Sequence, residues 1–590
     1  MQPAALSPEH RATAWDRLTS EALDVLVVGG GIVGAGAALD AVSRGYRVGI
    51  VEAQDWAAGT SSRSSKLIHG GLRYLQMMDF TLVHQALQER AVLLQHVAPH
   101  LVHQLPFLYP LQHRVWERFY VGTGIALYDA LGWSTGSARG VPRHRHLTRQ
   151  QALAKAPGLR RESMVGAIEY YDAQVDDARL AFEVVRTAVS LGAVAVSRAE
   201  AVGFHRDGDQ VTGATVCNLE TGAKRDVGAR VTILATGAWT EETETLAGHE
   251  RPVQVRPSKG VHLVVPKDRI ASTSAIVVRT EKSVLFVLPW GDHWIIGTTD
   301  TDWNHDKARP EATAADIDYL LDHVNAVLES PLTRDDVTGV FAGLRPLVAG
   351  AGVVRGPGEA GAHRLRLRAG SGEEQTTTLS REHSVSRPFP GLVVVSGGKY
   401  TTYRIIARDA VDAAVEQGPL DPVTSHTERL PLVGAEGYEV RWRQRARLAA
   451  AHGLSEDWLD HLLHRYGGMV DEVLALVEGD PSLGVPLAGA AGYLRAEVVY
   501  AVTHEDARHL EDVLARRTRI AIETVNRGLG AADEVADLMA PLLGWSDAER
   551  LAEVEDYARQ SELEASAAAA PDDDAASDLV SATPTRLVLP

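Results

Sequence analysis

Residues 24–52 read DVLVVGGGIVGAGAALDAVSRGYRVGIVE, and this stretch decides the fold. Val25-Leu26-Val27-Val28 is an unbroken apolar run, the pattern of a strand buried on both faces. Gly29-Gly30-Gly31-Ile32-Val33-Gly34 matches GxGxxG and leads into a helix of small residues. Glu52 ends the next strand, 18 residues after Gly34. A strand before the glycines and a small-residue helix after them give the motif its context. Gly29 permits the tight turn, Gly31 lets the backbone approach a pyrophosphate, and Gly34 lets helix and strand pack closely. The helix N-terminus offers amide donors and its dipole to the anion. Glu52 can accept both ribose hydroxyls, which disfavours a 2′-phosphate. FAD or NAD could fill such a site. A second literal match, Gly356-Pro-Gly358-Glu-Ala-Gly361, has no strand before it and no small-residue helix after it, so it is set aside.

Outward from this unit the chain keeps the same character. Residues 1–20 read as a lead-in with a short helix. Apolar positions at helical spacing predict a helix over 81–105, and another runs from Leu180 to Leu191, closed by Gly192. Val231 to Gly237 is a second buried strand entering a turn, and Leu392–Val395 followed by Ser-Gly-Gly-Lys-Tyr-Thr-Thr is a third, leading into a helix to about Gln417. Val253–Val265 and Ser283–Ile296 shift to aromatic and β-branched runs, the latter with a hairpin turn at Gly291-Asp292. A second, more antiparallel sheet therefore interleaves with the first layer. After Pro422 the pattern is helices with short loops.

The expected organisation is an FAD- or NAD-binding part over 1–420, interleaved with a substrate part over roughly 76–185 and 250–390, then a helical part over 421–560. Val348–Thr378, rich in Gly, Ala and Arg, reads as a surface insertion. The last thirty residues hold six acids and one base and are expected to be a disordered acidic tail, 561–590.

The chain has 590 residues, 45% of them hydrophobic, and a net charge of −18. That length supports two to four domains with ordinary cores. The acidic balance argues against nucleic-acid binding over a broad surface. Cys217 is the only cysteine, so an intrachain disulfide or thiolate metal cluster is excluded. The polar N-terminus predicts no signal peptide, and no apolar run is long enough to predict a membrane span. A cytoplasmic protein is expected. His464, His504 and His509 lack metal-ligand spacing, and no metal is predicted.

The residues after the second strand are TSSRSSKLIHGGLRYL, Thr60–Leu75. Hydroxyls and glycines are dense there, and His69, Arg73 and Tyr74 follow within six residues. Arginine offers a fork to phosphate, and histidine exchanges a proton near neutral pH.

With this stretch the chain resembles the FAD-dependent, quinone-linked (aerobic) glycerol-3-phosphate dehydrogenases over about residues 15–560. Further matching pieces are Glu89-Arg90, Ala-Pro-His (98–100), Ala-Thr-Gly-Ala-Trp (235–239), Lys-Gly-Val-His (259–262) and Gly-Thr-Thr-Asp (297–300). Gly-Leu-Arg-Pro-Leu (343–347), Ser-Arg-Glu-His (380–383), Gly-Gly-Lys-Tyr-Thr-Thr-Tyr-Arg (397–404) and Leu-Ala-Arg-Arg-Thr-Arg (514–519) continue the series. The resemblance implies an α/β fold: an FAD-binding Rossmann-type domain of the D-amino-acid-oxidase type, an interleaved mixed-sheet substrate domain and a helical C-terminal domain. It implies FAD as cofactor, sn-glycerol 3-phosphate as substrate and a quinone as acceptor. It places Gly29, Gly31, Gly34, Glu52, Thr60, Ser61, Ser65, Lys66, Leu67, Thr236, Gly237, Thr401 and Thr402 at the cofactor. It places His69, Arg73, Tyr74, His262, Arg345, Arg381 and Lys399 at the substrate. The gap between Arg345 and Arg381 is longer than the family's.

The chemistry agrees with the resemblance. A phosphate monoester carries about −1.5 to −2 charges near neutral pH and needs converging cations, which Arg73, Arg345, Arg381 and Lys399 supply. Oxidising a secondary alcohol removes a hydride and a proton. The hydride goes to the flavin. His69 or His262 suits the proton, with Arg345 able to stabilise the developing alkoxide. A quinone acceptor implies contact with a membrane surface, and Arg441–Arg447 with Trp442, or Arg364, Arg366 and Arg368, are the basic candidates for a peripheral patch. A homo-oligomer is compatible with the sequence. An oxidase that passes electrons to oxygen, or an inactive FAD-binding scaffold, are the competing readings.

Overall fold

The computed structural model describes residues 3–72, 79–134, 141–280, 284–348, 383–418 and 420–583. Strands and helices are numbered along the chain. The opening unit is β1 (Leu23–Val28), α2 (Ile32–Ser43) and β2 (Val48–Val51). Every residue of both strands is buried, which is why the sequence shows no polar alternation there. The sheet runs β17–β18–β10–β1–β2–β7, with β7 at Val194–Val196, β10 at Lys224–Leu234, β17 at His383–Phe389 and β18 at Leu392–Gly397. Strands β18, β10, β1, β2 and β7 pair in parallel. The antiparallel strands β8 (Ala199–Asp207) and β9 (Gln210–Asn218) extend from β10.

Helix α2 lies in the core between two longer helices, α5 (Asp177–Ser190) and α7 (Tyr403–Gln417). Its buried alanines, Ala35, Ala37, Ala38 and Ala41, allow that close approach. At Gly36 even a methyl group would sit 2.9 Å from the Tyr403 ring. The other face of the sheet is covered by α1 (Pro8–Ser20) through Ala14, Trp15 and Leu18.

The second sheet is the cap. Its order is β15–β11–β14–β13–β12–β4–β6–β3, with β16 also on β11 and β5 also on β6. The strands are β3 (Leu67–Ile68), β4 (His103–Leu111), β5 (Arg145–Thr148) and β6 (Gly166–Gln174). They continue with β11 (Val255–Pro266), β12 (Ala275–Arg279) and β13 (Val284–Trp290). Last come β14 (His293–Gly297), β15 (Thr301–Asp302) and β16 (Gly339–Val348). The β13–β14 hairpin turns at Gly291-Asp292, as the pattern predicts. Along β11, Val261, Leu263 and Val265 face α6 (Ala314–Asn325), so the period of two sends His262 to the opposite face.

The predicted helix over 81–105 is shorter than expected. Helix α3 (Phe80–Val92) continues only through a wide turn to Val97, and the chain re-enters the cap as β4. Ala98, at φ −142° and ψ 54°, precedes Pro99, whose ring disfavours the helical conformation at the residue before it.

The expected disordered tail is a larger correction. Helix α8 (Asp547–Ala569) runs through position 561, and α9 (Asp573–Ala582) follows. A capping box, Ser546 with Glu549, starts α8, and its alanine-rich end favours helix. Ala567, Ala570 and Ala576 are buried, and Ala314 of α6 donates to the Ala570 carbonyl at 2.9 Å. The buried Lys259 of β11 is paired with Asp316 at 2.6 Å and with Asp573. An acid that composition assigns to solvent therefore balances a buried cation. Truncation after Ala569 is expected to cost about 1–3 kcal/mol, because Lys259 loses one of two counter-charges. Denaturant unfolding of the two proteins, each loaded with FAD, measures this. Equal midpoints would mean that the tail contributes nothing. Positions 349–382, including most of the expected insertion, lie outside the described residues, as do 584–590.

Candidate active site

A cavity of about 1240 Å³ runs between the two sheets. At one end lies the glycine turn. Gly29 takes φ +110°, and a Cβ there would meet the Ala235 carbonyl oxygen at 2.5 Å. Gly34 does not border the cavity. A Cβ on it would lie 1.9 Å from the Gly29 oxygen, so it sets how closely helix meets turn. Gly31 is the N-cap of α2 and supplies no side-chain cap. A Cβ on Gly31 would point at nothing nearer than Ser61 Oγ, 3.1 Å away, in a space open to a ligand.

Glu52 closes this end. Its carboxylate accepts from Gly30 N at 2.6 Å and Gln54 N at 2.8 Å, and burial pushes its pKa up. A helix start whose own N-cap is a glycine, a side-chain-free approach and a buried carboxylate beside it suit a dinucleotide: pyrophosphate at the amides, ribose at Glu52. Thr236 and Gly237, after β10, border the same space.

The hydroxyl-rich loop is stitched more tightly than its composition suggests. Thr60 Oγ1 donates to the Leu344 carbonyl at 2.6 Å, and Ser61 Oγ accepts from Ile32 N at 2.9 Å. Ser64 donates through both N and Oγ to Asp177. Ser65 Oγ is 2.9 Å from His262 Nε2. Thr60, Ser61, Ser65 and Leu67 border the cavity. Lys66 does not. Its Nζ is fully buried on Asp177 Oδ1 at 2.8 Å and on the Ser62 carbonyl at 3.2 Å. It holds the loop from behind instead of reaching into the cavity. Thr402 also turns away, donating to the Lys399 carbonyl, while Thr401 stays at the wall.

The other end of the cavity is built by four separate segments. His69 follows β3, and its backbone amide donates to Thr401 Oγ1 at 3.2 Å. Lys399 and Thr401 sit in the turn after β18, where Gly397 and Gly398 take φ +70° and +92°. His262 and Arg345 come from the β11–β16 ladder, which opposes Ser258 to Arg345, Gly260 to Gly343 and His262 to Phe341. These pairs share one face of the sheet. A Cβ at Gly260 would lie 2.7 Å from Arg345 Nη2, so that glycine makes room for the guanidinium. Arg345 Nη1 donates to the Thr299 carbonyl and to Asp300 Oδ1, both at 3.2 Å, and Nη2 donates to Thr298 Oγ1 at 3.1 Å. The His262 ring stacks on Phe341, 4.6 Å between centroids. Burial, then the charges of Arg345 and Lys66, hold its pKa well below the ordinary value, so it is neutral. Arg73, Tyr74 and Arg381 lie outside the described residues.

Behind His69 a buried network fixes the loop. Gly70 N donates to Tyr128 OH at 2.8 Å, and Tyr128 OH donates to Asp172 Oδ1 at 2.7 Å. Arg90 pairs with the same carboxylate at 2.5 Å, while Glu89 pairs with Arg404. The Glu89-Arg90 dipeptide thus ties α3 to both layers. The C-terminal helices reach in as well. Arg516 and Arg517 pair with Asp55, and Arg519 with Asp176 and Asp177.

Sequence reasoning missed the cap residues at this end. Tyr109, Tyr170, Phe286 and Arg279 all border the cavity. They sit on strands as ordinary apolar or charged positions, and no local signal separates them. His464, His504 and His509 lie away from it. His509 is held between Glu220 and Glu553, which raise its pKa to about 9. The Arg441–Arg447 stretch is less available than its composition suggests: Arg441, Arg443 and Arg445 pair with Asp471, Glu439 and Asp460.

Residues 24–404 match the family described as FAD dependent oxidoreductase, and residues 425–550 match the C-terminal domain of alpha-glycerophosphate oxidase. The chain is 51% identical over 581 residues to glycerol-3-phosphate dehydrogenase 2 of Mycobacterium tuberculosis (strain ATCC 25618 / H37Rv), covering 98% of this chain and 95% of that protein. Among solved structures, glycerol-3-phosphate dehydrogenase from Bacillus halodurans complexed with FAD superposes with a TM-score of 0.74 at 28% identity, over 95% of this chain and 98% of that one. L-alpha-glycerophosphate oxidase from Mycoplasma pneumoniae with FAD bound shares the fold, with a TM-score of 0.51 at 17% identity over 70% of this chain and 99% of that one.

Proposed function

The chain belongs to the FAD-dependent oxidoreductases, and from that premise we propose that it oxidises sn-glycerol 3-phosphate to dihydroxyacetone phosphate and passes the electrons to a quinone. One observation carries the reading. Arg345, Lys399, His69 and His262, from four segments, converge at one end of a cavity whose other end is the dinucleotide cradle. The relatives named for this substrate cover nearly the whole chain.

Bound FAD supplies the hydride acceptor. The chain's own residues do the rest. Lys399, with Arg73 and Arg381, provides cation for the phosphate. Arg345 orients the substrate hydroxyl and stabilises the oxygen as its proton leaves. His69, at the cavity wall, takes that proton. His262 is a poorer base: burial beside Arg345 and Lys66 opposes the imidazolium, so it serves as a neutral wall braced by Ser65 and Phe341.

The planar fork of Arg345 meets Thr298, Thr299 and Asp300 together, which one ammonium cannot do. Arg345→Lys is therefore expected to lower kcat/KM by about ten- to a hundred-fold, the loss of one charge-assisted hydrogen bond. An unchanged kcat/KM would remove Arg345 from the reaction.

A quinone is lipid-soluble, so this reading includes a membrane surface as partner and a peripheral position on the cytoplasmic face. No described helix is long and apolar enough to cross a membrane. The decisive measurement is anaerobic: sn-glycerol 3-phosphate should bleach the flavin absorbance, and a quinone analogue should restore it. No bleaching would overturn the substrate. Stoichiometric peroxide in air with no quinone reduction would replace the acceptor by oxygen.

A further inference from the structure

Asp300 puts a carboxylate in the wall of the cavity, beside Arg345. On the reading above, a phosphate monoester carrying about −1.5 to −2 charges enters this space. A like charge in the wall opposes that entry, so its presence calls for a use that a neutral side chain could not serve. Asp172, the acid behind His69, is buried and taken up by Arg90 and by Tyr128 of α4 (Trp116–Ser134). Asp300 is more open: 14% of its side chain and 25% of that of Arg345 remain exposed.

The backbone ladder puts the carboxylate where it is. Ser258 of β11 stands opposite Arg345 of β16 on one side and Asp302 of β15 on the other. Fully buried itself, Ser258 donates its hydroxyl to Asp300 Oδ1. Arg345 Nη1 donates to the same oxygen at 3.2 Å, and the Thr299 carbonyl and Thr298 Oγ1 complete the cradle of the fork. Gly260 keeps this space clear, since a Cβ there would stand 2.6 Å from Thr298 Oγ1 and 2.7 Å from Arg345 Nη2. Asp300 is thus fixed from behind by a neutral hydroxyl and turned to the guanidinium in front.

We propose that Asp300 is the positioning residue that sets which way round the substrate lies, an inference that rests on the glycerol 3-phosphate reading. Its charge weakens the field of Arg345 at the cavity, so a dianion is drawn to Lys399, in the glycine turn after β18. Its charge also repels phosphate from the Arg345 end directly. The same contact holds the fork ready for an uncharged hydroxyl. Discrimination of this kind needs a repulsive element as well as an attractive one. A substrate lying end for end would bind, but with its secondary alcohol away from Arg345 and His69.

Asp300→Asn tests this, because the amide keeps an acceptor for Arg345 and Ser258 and loses the charge. Asp300→Ser is a second, smaller neutral replacement that covers a folding failure of the first. Two quantities are read on the FAD-loaded proteins under anaerobic conditions. Inorganic phosphate, titrated by calorimetry, should bind the neutral variants about tenfold more tightly than the parent, because a like charge has left the wall. The limiting rate of flavin reduction by sn-glycerol 3-phosphate should fall about tenfold or more, because the fork loses a charge-assisted hydrogen bond. A merely structural role would weaken both together. Unchanged or weaker phosphate binding in the neutral variants would overturn the proposal, and so would an unchanged limiting rate. Tighter phosphate binding in the variants, with no bleaching of the parent flavin by sn-glycerol 3-phosphate, would leave Asp300 as the anion-excluding residue and sink the substrate reading instead.

Discussion

Replacing His69 by alanine is expected to slow flavin reduction by substrate about 10²- to 10⁴-fold, with FAD content unchanged, because a positioned general base is lost. The two halves of this expectation rest on different parts of the structure. The loop that carries His69 is held by its backbone, through Thr401 and the Tyr128–Asp172–Arg90 network. The cofactor cradle at Gly29–Gly31 and Glu52 is built on other segments. Removing the ring should therefore leave both intact. The competing base is His262, whose protonation is opposed by burial and by two nearby cations. Anaerobic stopped-flow reduction across pH separates them. The acid limb of the rate profile should vanish in His69→Ala. If it persists there and vanishes in His262→Ala, the base is His262.

What the sequence made legible follows from how local each signal is. The β1–α2–β2 unit could be read because burial on both faces leaves an unbroken apolar run and because only glycine fits positions 29 and 34. Glu52 could be read from its offset alone. His262 and Arg345 are different. They lie far apart in the chain and meet only through the β11–β16 register, so the family resemblance singled them out and spacing did not. Lys66 shows the opposite failure. The resemblance places this lysine at the cofactor, but Asp177, 111 residues away, claims its charge. The acidic tail misled for the same reason, since the buried partner of Asp573 is Lys259 in another layer. Composition describes a segment and carries no information about a distant counter-charge.

That distant pairing predicts the largest stability effect. Asp177 is fully buried and serves five groups: Lys66 Nζ at 2.8 Å, Ser64 N at 2.8 Å, Ser64 Oγ at 2.7 Å, Ala178 N at 3.0 Å and the Arg519 guanidinium. Arg519 keeps Asp176 if Asp177 is removed, but Lys66 keeps only the Ser62 carbonyl as a hydrogen-bond partner, with the Asp176 charge acting on it without a direct contact. Asp177→Ala is thus expected to cost about 3–5 kcal/mol, the usual price of a buried charge left without its partner. Burial and Arg519 already push the Lys66 pKa down, and loss of the aspartate pushes it further. The unfolded lysine titrates at about 10.4, so below that pH the unfolded variant binds more protons than the folded one. Its stability should therefore rise with pH towards that value, relative to the parent. Lys66→Met/Asp177→Ala removes the stranded charge and keeps an apolar side chain beside Phe341, whose ring lies 4.8 Å from the lysine nitrogen. Denaturant unfolding of the FAD-loaded proteins should rank the double variant above Asp177→Ala and free it of the added pH slope. A double variant no more stable than the single one would show that the cost lies in the Ser64 and Arg519 contacts and not in the lysine.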